Sequence, residues 1–338
     1  MKKSLLALAV LGAFAGAASA QSSVTIYGLL DLAITKGNGG TAANVGANGT
    51  SKAWIEKQSA SSRLGFRGNE DLGGGLSAQF QIEHRFNPDD GTQSSPPFWQ
   101  GRSYVQLSHN DLGRIYLGRE YTPAFWVQLK LDPFGNDGVG QFGTAMSWAG
   151  FNTPSAVIPT GGSARTSNTV GYKTPNWGGL TANVAVGLGE NSTPRDTGFN
   201  VEYAAGPIYA GLGYEKLKEG PPMAADRTDG NSLFNIGATY DLGFVKPGLY
   251  YARAKLAGGT ITNKTVEITA SANLGPGRLK AGWGRLDPQG DNNTISKLGL
   301  GYDYPLSKRT NVYADVGLGK QDNQSNNRAF AFGVKHVF

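Results

Sequence analysis

Apolar and polar side chains alternate along this sequence in segments that recur about every 20 residues up to the C-terminus. In residues 24–36 the even-numbered positions, one parity, carry aliphatic side chains (Val24, Ile26, Leu30, Leu32, Ile34). The odd-numbered positions, the other parity, carry largely polar side chains (Thr25, Tyr27, Asp31, Thr35). Successive side chains of a β-strand point to opposite faces, so this segment has one face suited to hydrocarbon and one suited to water. Helical spacing of apolar residues is nearly absent, and the pattern predicts an all-β chain.

The same alternation predicts a long meander of antiparallel strands. Its segments include residues 76–86, 102–108, 181–189, 208–216, 233–241, 249–256, 265–274, 295–304 and 311–319. Turns rich in Gly, Asn, Asp or Pro at 69–73, 110–113 and 205–207 follow every second strand, and longer polar segments follow the others. Short turns at one end and long loops at the other are typical of a transmembrane β-barrel, here of about 16 strands.

The N-terminus has the pattern of a cleaved signal peptide. Two lysines precede an apolar run at 5–16, and Ala-Ser-Ala at 18–20 forms a small-residue cleavage site. The alternative, an anchoring helix, needs about 20 apolar residues. We therefore expect a signal peptide at 1–20 and a mature barrel at 21–338.

Closure of the predicted sheet follows from the cost of unpaired backbone groups in hydrocarbon. No later stretch approaches about 18 uncharged apolar residues, which excludes spanning helices, and the mean hydropathy is −0.31. An open sheet edge would leave unsatisfied N–H and C=O groups in the bilayer, whereas a closed barrel has no edge. A barrel of about 16 strands is too wide for side chains to fill, so its lumen holds water or an inserted segment.

Composition argues against several other functions. Without Lys2 and Lys3 the formal net charge falls from +6 to +4, which is too small to indicate a nucleic-acid partner. The chain has no cysteine, and His84, His109 and His336 are far apart, so no metal site and no cofactor are expected. A barrel hydrolase remains an alternative, but these histidines lie on apolar faces or beside a turn, and we predict that the chain is not an enzyme.

The final strand, residues 328–338, ends in an aromatic residue. Phe330, Phe332, Val334, His336 and Phe338 share one face. An edge strand of a soluble core is the alternative. The strand resembles the C-terminal signal that the outer-membrane assembly machinery of Gram-negative bacteria reads, with Phe338 as its terminal residue.

Several segments together resemble the general porins of β-proteobacteria. They are Ser-Ser-Val-Thr-Ile-Tyr-Gly at 22–28 with Asp31, Ser-Ser-Arg-Leu-Gly-Phe-Arg-Gly at 61–68 with 70–76, Gly-Arg-Ile-Tyr-Leu-Gly-Arg at 113–119, Asp-Pro-Phe-Gly at 132–135 and the segment 333–338. The resemblance covers the whole mature chain. It implies an outer-membrane homotrimer of 16-stranded barrels, surrounded by lipid and lipopolysaccharide, with one pore per subunit.

The segment from about 122 to 163 is far longer than the usual connection between strands. Loops beyond about 15 residues are usually functional. In the family the third loop folds into the lumen and forms the constriction. A disordered surface loop is the alternative, but this segment is too apolar for that. Its apolar residues are Phe125, Trp126, Phe134, Phe142, Met146, Trp148 and Phe151.

Arginines on the polar parities point into the lumen if the chain forms a barrel. Arg63, Arg102 and Arg165 match the motif positions of the arginine ladder that such porins carry on the barrel wall, and Arg85 and Lys130 add positive charge. Guanidinium stays charged at any working pH, so the cluster attracts anions. The opposing acids are Asp132 and Asp137 on the loop and Glu83 on the wall.

Two departures from enterobacterial porins affect the expected charge balance. The loop reads Asp-Pro-Phe-Gly-Asn at 132–136 in place of Pro-Glu-Phe-Gly-Gly, and Leu29 stands where those porins have a wall lysine. We predict passive diffusion of ions and small hydrophilic solutes, anionic or neutral, with moderate anion selectivity. If the arginines only brace the loop through carboxylates, selectivity is weak.

A substrate-specific channel for small organic anions or sugars is the second alternative. The loop aromatics Trp126, Trp148 and Phe151 could line a path for such a solute. Saturable block by one solute class would favour this function over general diffusion.

Overall fold

The structure is a computed structural model that describes residues 23–42, 51–151, 164–190, 195–218, 230–256, 259–290 and 293–338. The predicted signal peptide and residues 152–163 of the predicted constriction loop lie outside the described residues. Within the described ranges, no helix combines the length and hydropathy needed to cross a bilayer.

The described chain is almost entirely β-structure. Its strands are β1 (Ser23–Gly37), β2 (Ile55–Lys57), β3 (Arg63–Gly73), β4 (Leu76–Arg85), β5 (Ser103–His109), β6 (Gly113–Tyr121), β7 (Arg165–Lys173), β8 (Leu180–Gly187), β9 (Arg195–Ala205), β10 (Ile208–Lys218), β11 (Ser232–Tyr240), β12 (Val245–Leu256), β13 (Ile261–Leu274), β14 (Gly277–Asp287), β15 (Ile295–Pro305), β16 (Thr310–Gln321) and β17 (Asn327–Val337). Two helices, α1 (Pro123–Leu131) and α2 (Gly143–Ser147), lie between β6 and β7.

The sheet closes on itself. From β3 onward each strand pairs antiparallel with the next, and β17 pairs with β1 from Leu29↔Val337 to Gly37↔Ala329. The backbone of Phe338 exchanges two hydrogen bonds with Gly28, at 3.0 and 3.1 Å. The short strand β2 pairs with β1 beyond the end of β3, so the wall is the predicted 16-stranded antiparallel barrel with one extra strand.

The two faces of the strands separate as the alternation predicts. Large apolar residues stay exposed on the outer face, among them Val24, Ile26, Leu30, Ile34, Val105, Leu107, Phe330 and Phe332. The inward parity is polar and buried, as at Asp31, Thr35, Glu83, Gln106, Asn200 and Glu267. The barrel therefore has an outside suited to lipid and an inside suited to water and charge.

One predicted turn is wrong. Residues 69–73 belong to β3, and the chain reverses at the next two glycines. Gly74 and Gly75 have φ of +61° and +82°, a conformation that favours glycine, so the glycine run moves the turn toward its C-terminal end. The predicted turns at 110–113 and 205–207 are confirmed.

The long third loop folds into the lumen, as predicted, over its described part. Its aromatic side chains Phe142, Trp148 and Phe151 are fully buried, together with inward residues of β10 to β15 such as Leu233 and Leu286. Helix α1 contacts the inner wall at β8 to β12. The loop is thus a packed layer on one side of the lumen, with short helices that the sequence pattern does not reveal.

Polar side chains of the wall hold the backbone of this loop. Asn200, Asn235 and Asn263 donate to the carbonyl oxygens of Pro123, Ala124 and Ala149 at 2.8, 2.9 and 3.1 Å. Buried carbonyl groups need such partners because water cannot reach them. The inward asparagines therefore attach the loop to the wall.

Candidate functional site

Three guanidinium groups meet on the wall that is left open by the loop. Arg63 on β3 lies directly opposite Arg85 on β4. Arg85 and Arg165 both donate to the hydroxyl of Tyr121, at 3.3 and 2.5 Å. Arg63, Arg85 and Arg165 are called the arginine cluster below. Of the basic residues predicted for the constriction wall, these three lie together.

Glu83 belongs to this cluster rather than to an opposing pole. Its carboxylate lies 2.7 Å from Arg85 Nη2 and accepts a 3.1 Å hydrogen bond from the Tyr27 hydroxyl. In the described part of the chain, Arg63 has no carboxylate oxygen within 4.0 Å. Glu83 therefore neutralises Arg85 but not Arg63, and the cluster keeps an excess of positive charge.

Arg102 differs from the rest of the predicted ladder because its charge is compensated. Its Nε and Nη2 both contact the carboxylate of Glu120, with distances from 2.5 to 3.0 Å, and Nη1 donates to Gln81 at 3.0 Å. The sequence alone does not single out Glu120, although it shares the inward parity of Tyr116. Arg102 is thus neutralised by a carboxylate of the neighbouring wall strand β6, and this pair does not brace the loop.

Tyr121 connects the arginine cluster to the core of the folded loop. Its ring stacks on Phe125 with centroids 4.5 Å apart, and Phe125 packs edge-on against Trp148 at 5.8 Å. The guanidinium of Arg165 lies over the Tyr121 ring, 4.2 Å from its centroid. The aromatic core of the loop therefore holds the hydroxyl to which Arg85 and Arg165 bind.

Asp132 shapes the loop rather than facing the lumen as a free charge. Its carboxylate oxygens accept hydrogen bonds from the backbone N–H groups of Phe134 and Asn136, each at 2.9 Å. Burial raises the pKa of this carboxyl, and the two backbone donors act against that shift. Asp132 therefore stabilises the turn that follows α1.

Asp137 lies farther along the loop, in a recess of mixed charge. This mixed recess has a volume of about 450 Å³ and includes Asp137, Asp315, Lys280 and Lys335 among its lining residues. Burial raises the pKa of the Asp137 carboxyl to about 7, and Lys335 and Arg63 oppose the shift. Asp137 is thus the loop acid whose charge changes near neutral pH.

Part of the remaining charge of the mixed recess is paired. Lys280 lies 3.0 Å from Asp303 and 3.5 Å from Asp315. On the loop, Lys130 donates to Glu202 of β9, so its contribution to the positive side is also reduced. The excess positive charge of the constriction therefore resides on the side of the arginine cluster.

The loop aromatics are not arranged as a path for a specific solute. Trp148 and Phe151 are fully buried in the loop core. Trp126 is half-buried and lies beside the guanidinium of Arg102, 5.3 Å from it. Of the three aromatic residues named for a substrate-specific channel, only Trp126 borders the lumen.

Comparison with known sequences gives a consistent result. The family profile described as Gram-negative porin matches residues 7–324. The chain is 35% identical to outer membrane porin protein 32 of Delftia acidovorans, over 99% of this chain and 94% of the relative. It is 29% identical to an outer membrane porin protein of Bordetella pertussis, with 100% of each chain covered.

Solved structures match the fold as well. An anion-selective porin from Comamonas acidovorans has a TM-score of 0.77 and 27% identity, with 94% of this chain and 100% of that chain covered. OmpF of Salmonella typhi, solved with daunomycin, has a TM-score of 0.67 at 15% identity, with 93% and 97% covered. The second match concerns the fold alone.

Proposed function

Because this chain belongs to the family of Gram-negative porins, it serves passive diffusion across the outer membrane, and we propose that its constriction prefers anions to cations. Porins are channels rather than enzymes, and we propose no catalytic role. The related porin of Comamonas acidovorans is described as anion-selective, which supports the proposal.

The arginine cluster is the observation that carries the proposal. Glu83 pairs with Arg85, and in the described part of the chain Arg63 forms no salt bridge, whereas the mixed recess is lined by five carboxylates and five basic side chains. Residues 152–163, which complete the loop, contain no ionisable side chain and add no acid to oppose the cluster. Guanidinium does not lose its proton at any working pH, so the positive field persists.

The selectivity we propose is moderate because part of the charge is already paired. Arg102 is bound by Glu120 and Lys130 by Glu202. Conduction also requires that solutes leave as readily as they enter, so binding at the cluster must be weak. Small inorganic anions and small carboxylates fit these conditions, and neutral hydrophilic solutes pass without attraction.

We also propose the homotrimer that the family resemblance implies, with lipopolysaccharide against the outer loops. Exposed aliphatic residues on β1, such as Val24 and Ile26, suit either lipid or a second copy. Chemical crosslinking of the purified protein in detergent tests the trimer: a ladder that ends at the trimer supports it, and a monomer alone contradicts it.

The reversal potential of single channels in a potassium chloride gradient tests the selectivity. We expect the sign of the reversal potential to indicate that chloride is more permeant than potassium. Arg63→Gln is expected to lower the chloride-to-potassium permeability ratio severalfold. Arg309→Gln is the matched control, since Arg309 lies in the turn between β15 and β16 and is exposed outside the lumen. A cation-selective wild type, or equal effects of both substitutions, would overturn the proposal.

A further inference from the structure

A second basic recess lies below the constriction loop. It has a volume of about 220 Å³, and its lining includes Arg102, Tyr104, Arg114, Trp126 and Lys173. We propose that this lower recess holds small aromatic carboxylates as a second station for anions that have passed the arginine cluster. The proposal rests on the anion preference proposed above and adds a site and a solute class to it.

Two positively charged side chains of this recess form no salt bridge in the described part of the chain. Arg114 on β6 lies directly opposite Lys173 on β7. Throughout the described ranges, neither side chain forms a salt bridge, whereas Arg102 has Glu120 and Lys130 has Glu202. Like charges directly opposite on neighbouring strands destabilise a sheet, and a bound anion would remove that repulsion. The pair therefore presents a site for one carboxylate.

The position of this pair places it beyond the constriction. Arg114 is the second residue of β6, directly after the short turn at 110–112, whereas Glu120 lies at the other end of that strand, next to the loop. Short turns of outer-membrane barrels face the periplasm. The lower recess therefore extends from the constriction toward the periplasmic mouth, on the path of an entering anion.

Aromatic faces supply the rest of the recess. Arg102 lies between Tyr104 and Trp126, 5.0 and 5.3 Å from their ring centroids. Deeper in the recess, the Tyr116 hydroxyl donates to Asn183 at 3.1 Å. A glycine at 171 makes room for the Tyr116 ring, since a Cβ there would lie 2.1 Å from Tyr116 Cζ.

An aromatic carboxylate uses both parts of this surface. Its carboxylate binds between Arg114 and Lys173, and its ring contacts Tyr104 and Trp126. A small aliphatic carboxylate uses only the charges. Proteins that bind single-stranded nucleic acids combine a positively charged groove with aromatic side chains on which the bases stack. The aromatic ring of a carboxylate can stack on Tyr104 and Trp126 in the same way.

Current block by benzoate, with acetate as the comparison solute, tests the site. Wild-type channels in a planar bilayer are expected to show saturable block by benzoate at concentrations where acetate has no effect. Arg114→Gln combined with Lys173→Gln is expected to raise the benzoate concentration for half-block about tenfold. This is the effect of losing two ion pairs between the benzoate carboxylate and these side chains. Trp126→Leu, which keeps the charges, is expected to reduce the difference between benzoate and acetate.

Lys308→Gln combined with Arg309→Gln is the matched control. Lys308 and Arg309 are exposed in the short turn between β15 and β16, at the same end of the barrel as Arg114, and their substitution removes the same amount of charge. We expect a change of less than about twofold in half-block, because distant charges are screened. Open-channel conductance of each variant shows that the barrel has folded.

The outcomes separate this inference from the proposed function. If the wild type is cation-selective, the proposed function and this inference both fail. If the wild type is anion-selective but benzoate and acetate act alike, or both double variants weaken block equally, only the lower recess is refuted. Saturable benzoate block that depends on Arg114 and Lys173 supports it.

Discussion

Asp137 is expected to make ion selectivity depend on pH. Its pKa is raised to about 7 by burial, while Lys335, Arg63 and Lys280 act in the opposite direction and Asp31 adds to the rise. A carboxyl is neutral below its pKa and negative above it, so Asp137 is largely neutral at about pH 5.5 and largely charged at about pH 8.5. Acidification therefore removes one negative charge from the constriction and increases anion preference.

The size of the effect follows from the interaction of one charge with a passing ion. Two unit charges about 4 Å apart in water interact by about 1 kcal/mol, and about 0.1 M salt leaves roughly two thirds of that. Loss of the charge stabilises an anion by this amount and destabilises a cation equally. Since about 1.4 kcal/mol corresponds to a factor of ten, the anion-to-cation permeability ratio rises by at most about tenfold between pH 8.5 and 5.5.

The assay is the reversal potential of single channels in a potassium chloride gradient at both pH values. Asp137→Asn is expected to lack most of the pH response and to resemble the acidified wild type. Asp90→Asn is the matched control: Asp90 is exposed on the second loop, and hydrogen bonds from Thr92 lower its pKa, so it stays charged at both pH values.

Comparison of the two proteins at each pH isolates Asp137 from other titrating groups. His84, His109 and His336 are the same in wild type and variant, so any contribution from them cancels in the comparison. An equal pH response in wild type and Asp137→Asn, or a fall in anion preference on acidification, would show that the reasoning is wrong.

Three further predictions concern the charge pair, the loop core and the C-terminus. Glu120→Gln frees the charge of Arg102 and should raise the permeability ratio severalfold in the reversal-potential assay; a lower ratio contradicts this. Trp148→Ala should cost about 3–5 kcal/mol of stability through a buried cavity, which lowers the thermal unfolding temperature in detergent and makes the current noisier; wild-type values for both contradict it. Phe338→Ala removes a ring that lies over Gly28 but keeps the backbone pairing. It should reduce the amount of heat-modifiable barrel in the outer membrane severalfold. An undiminished amount would show that the assembly machinery does not recognise the terminal ring.

The sequence by itself determines the barrel and the side of the wall on which each residue lies. Parity along a strand is a local property, so the outward Ile26 and the inward Arg63 follow directly from alternation. The apolar content of the third loop likewise predicts that it is buried. The turn at 69–73 is the exception, since a strand that ends in several glycines can reverse at any of them.

Only the tertiary structure decides which of the inward charges act on a solute. Strand register places Glu120 against Arg102 and Lys173 against Arg114, and it depends on pairing between segments far apart in sequence. Loop packing turns the carboxylate of Asp132 onto its own backbone N–H groups, although Asp132 lines the same recess as Asp137. Alternation along a strand determines the face of the wall on which each charged residue lies. Whether two opposite charges neutralise each other depends on distances of a few ångströms between strands and loop, which no local sequence pattern contains.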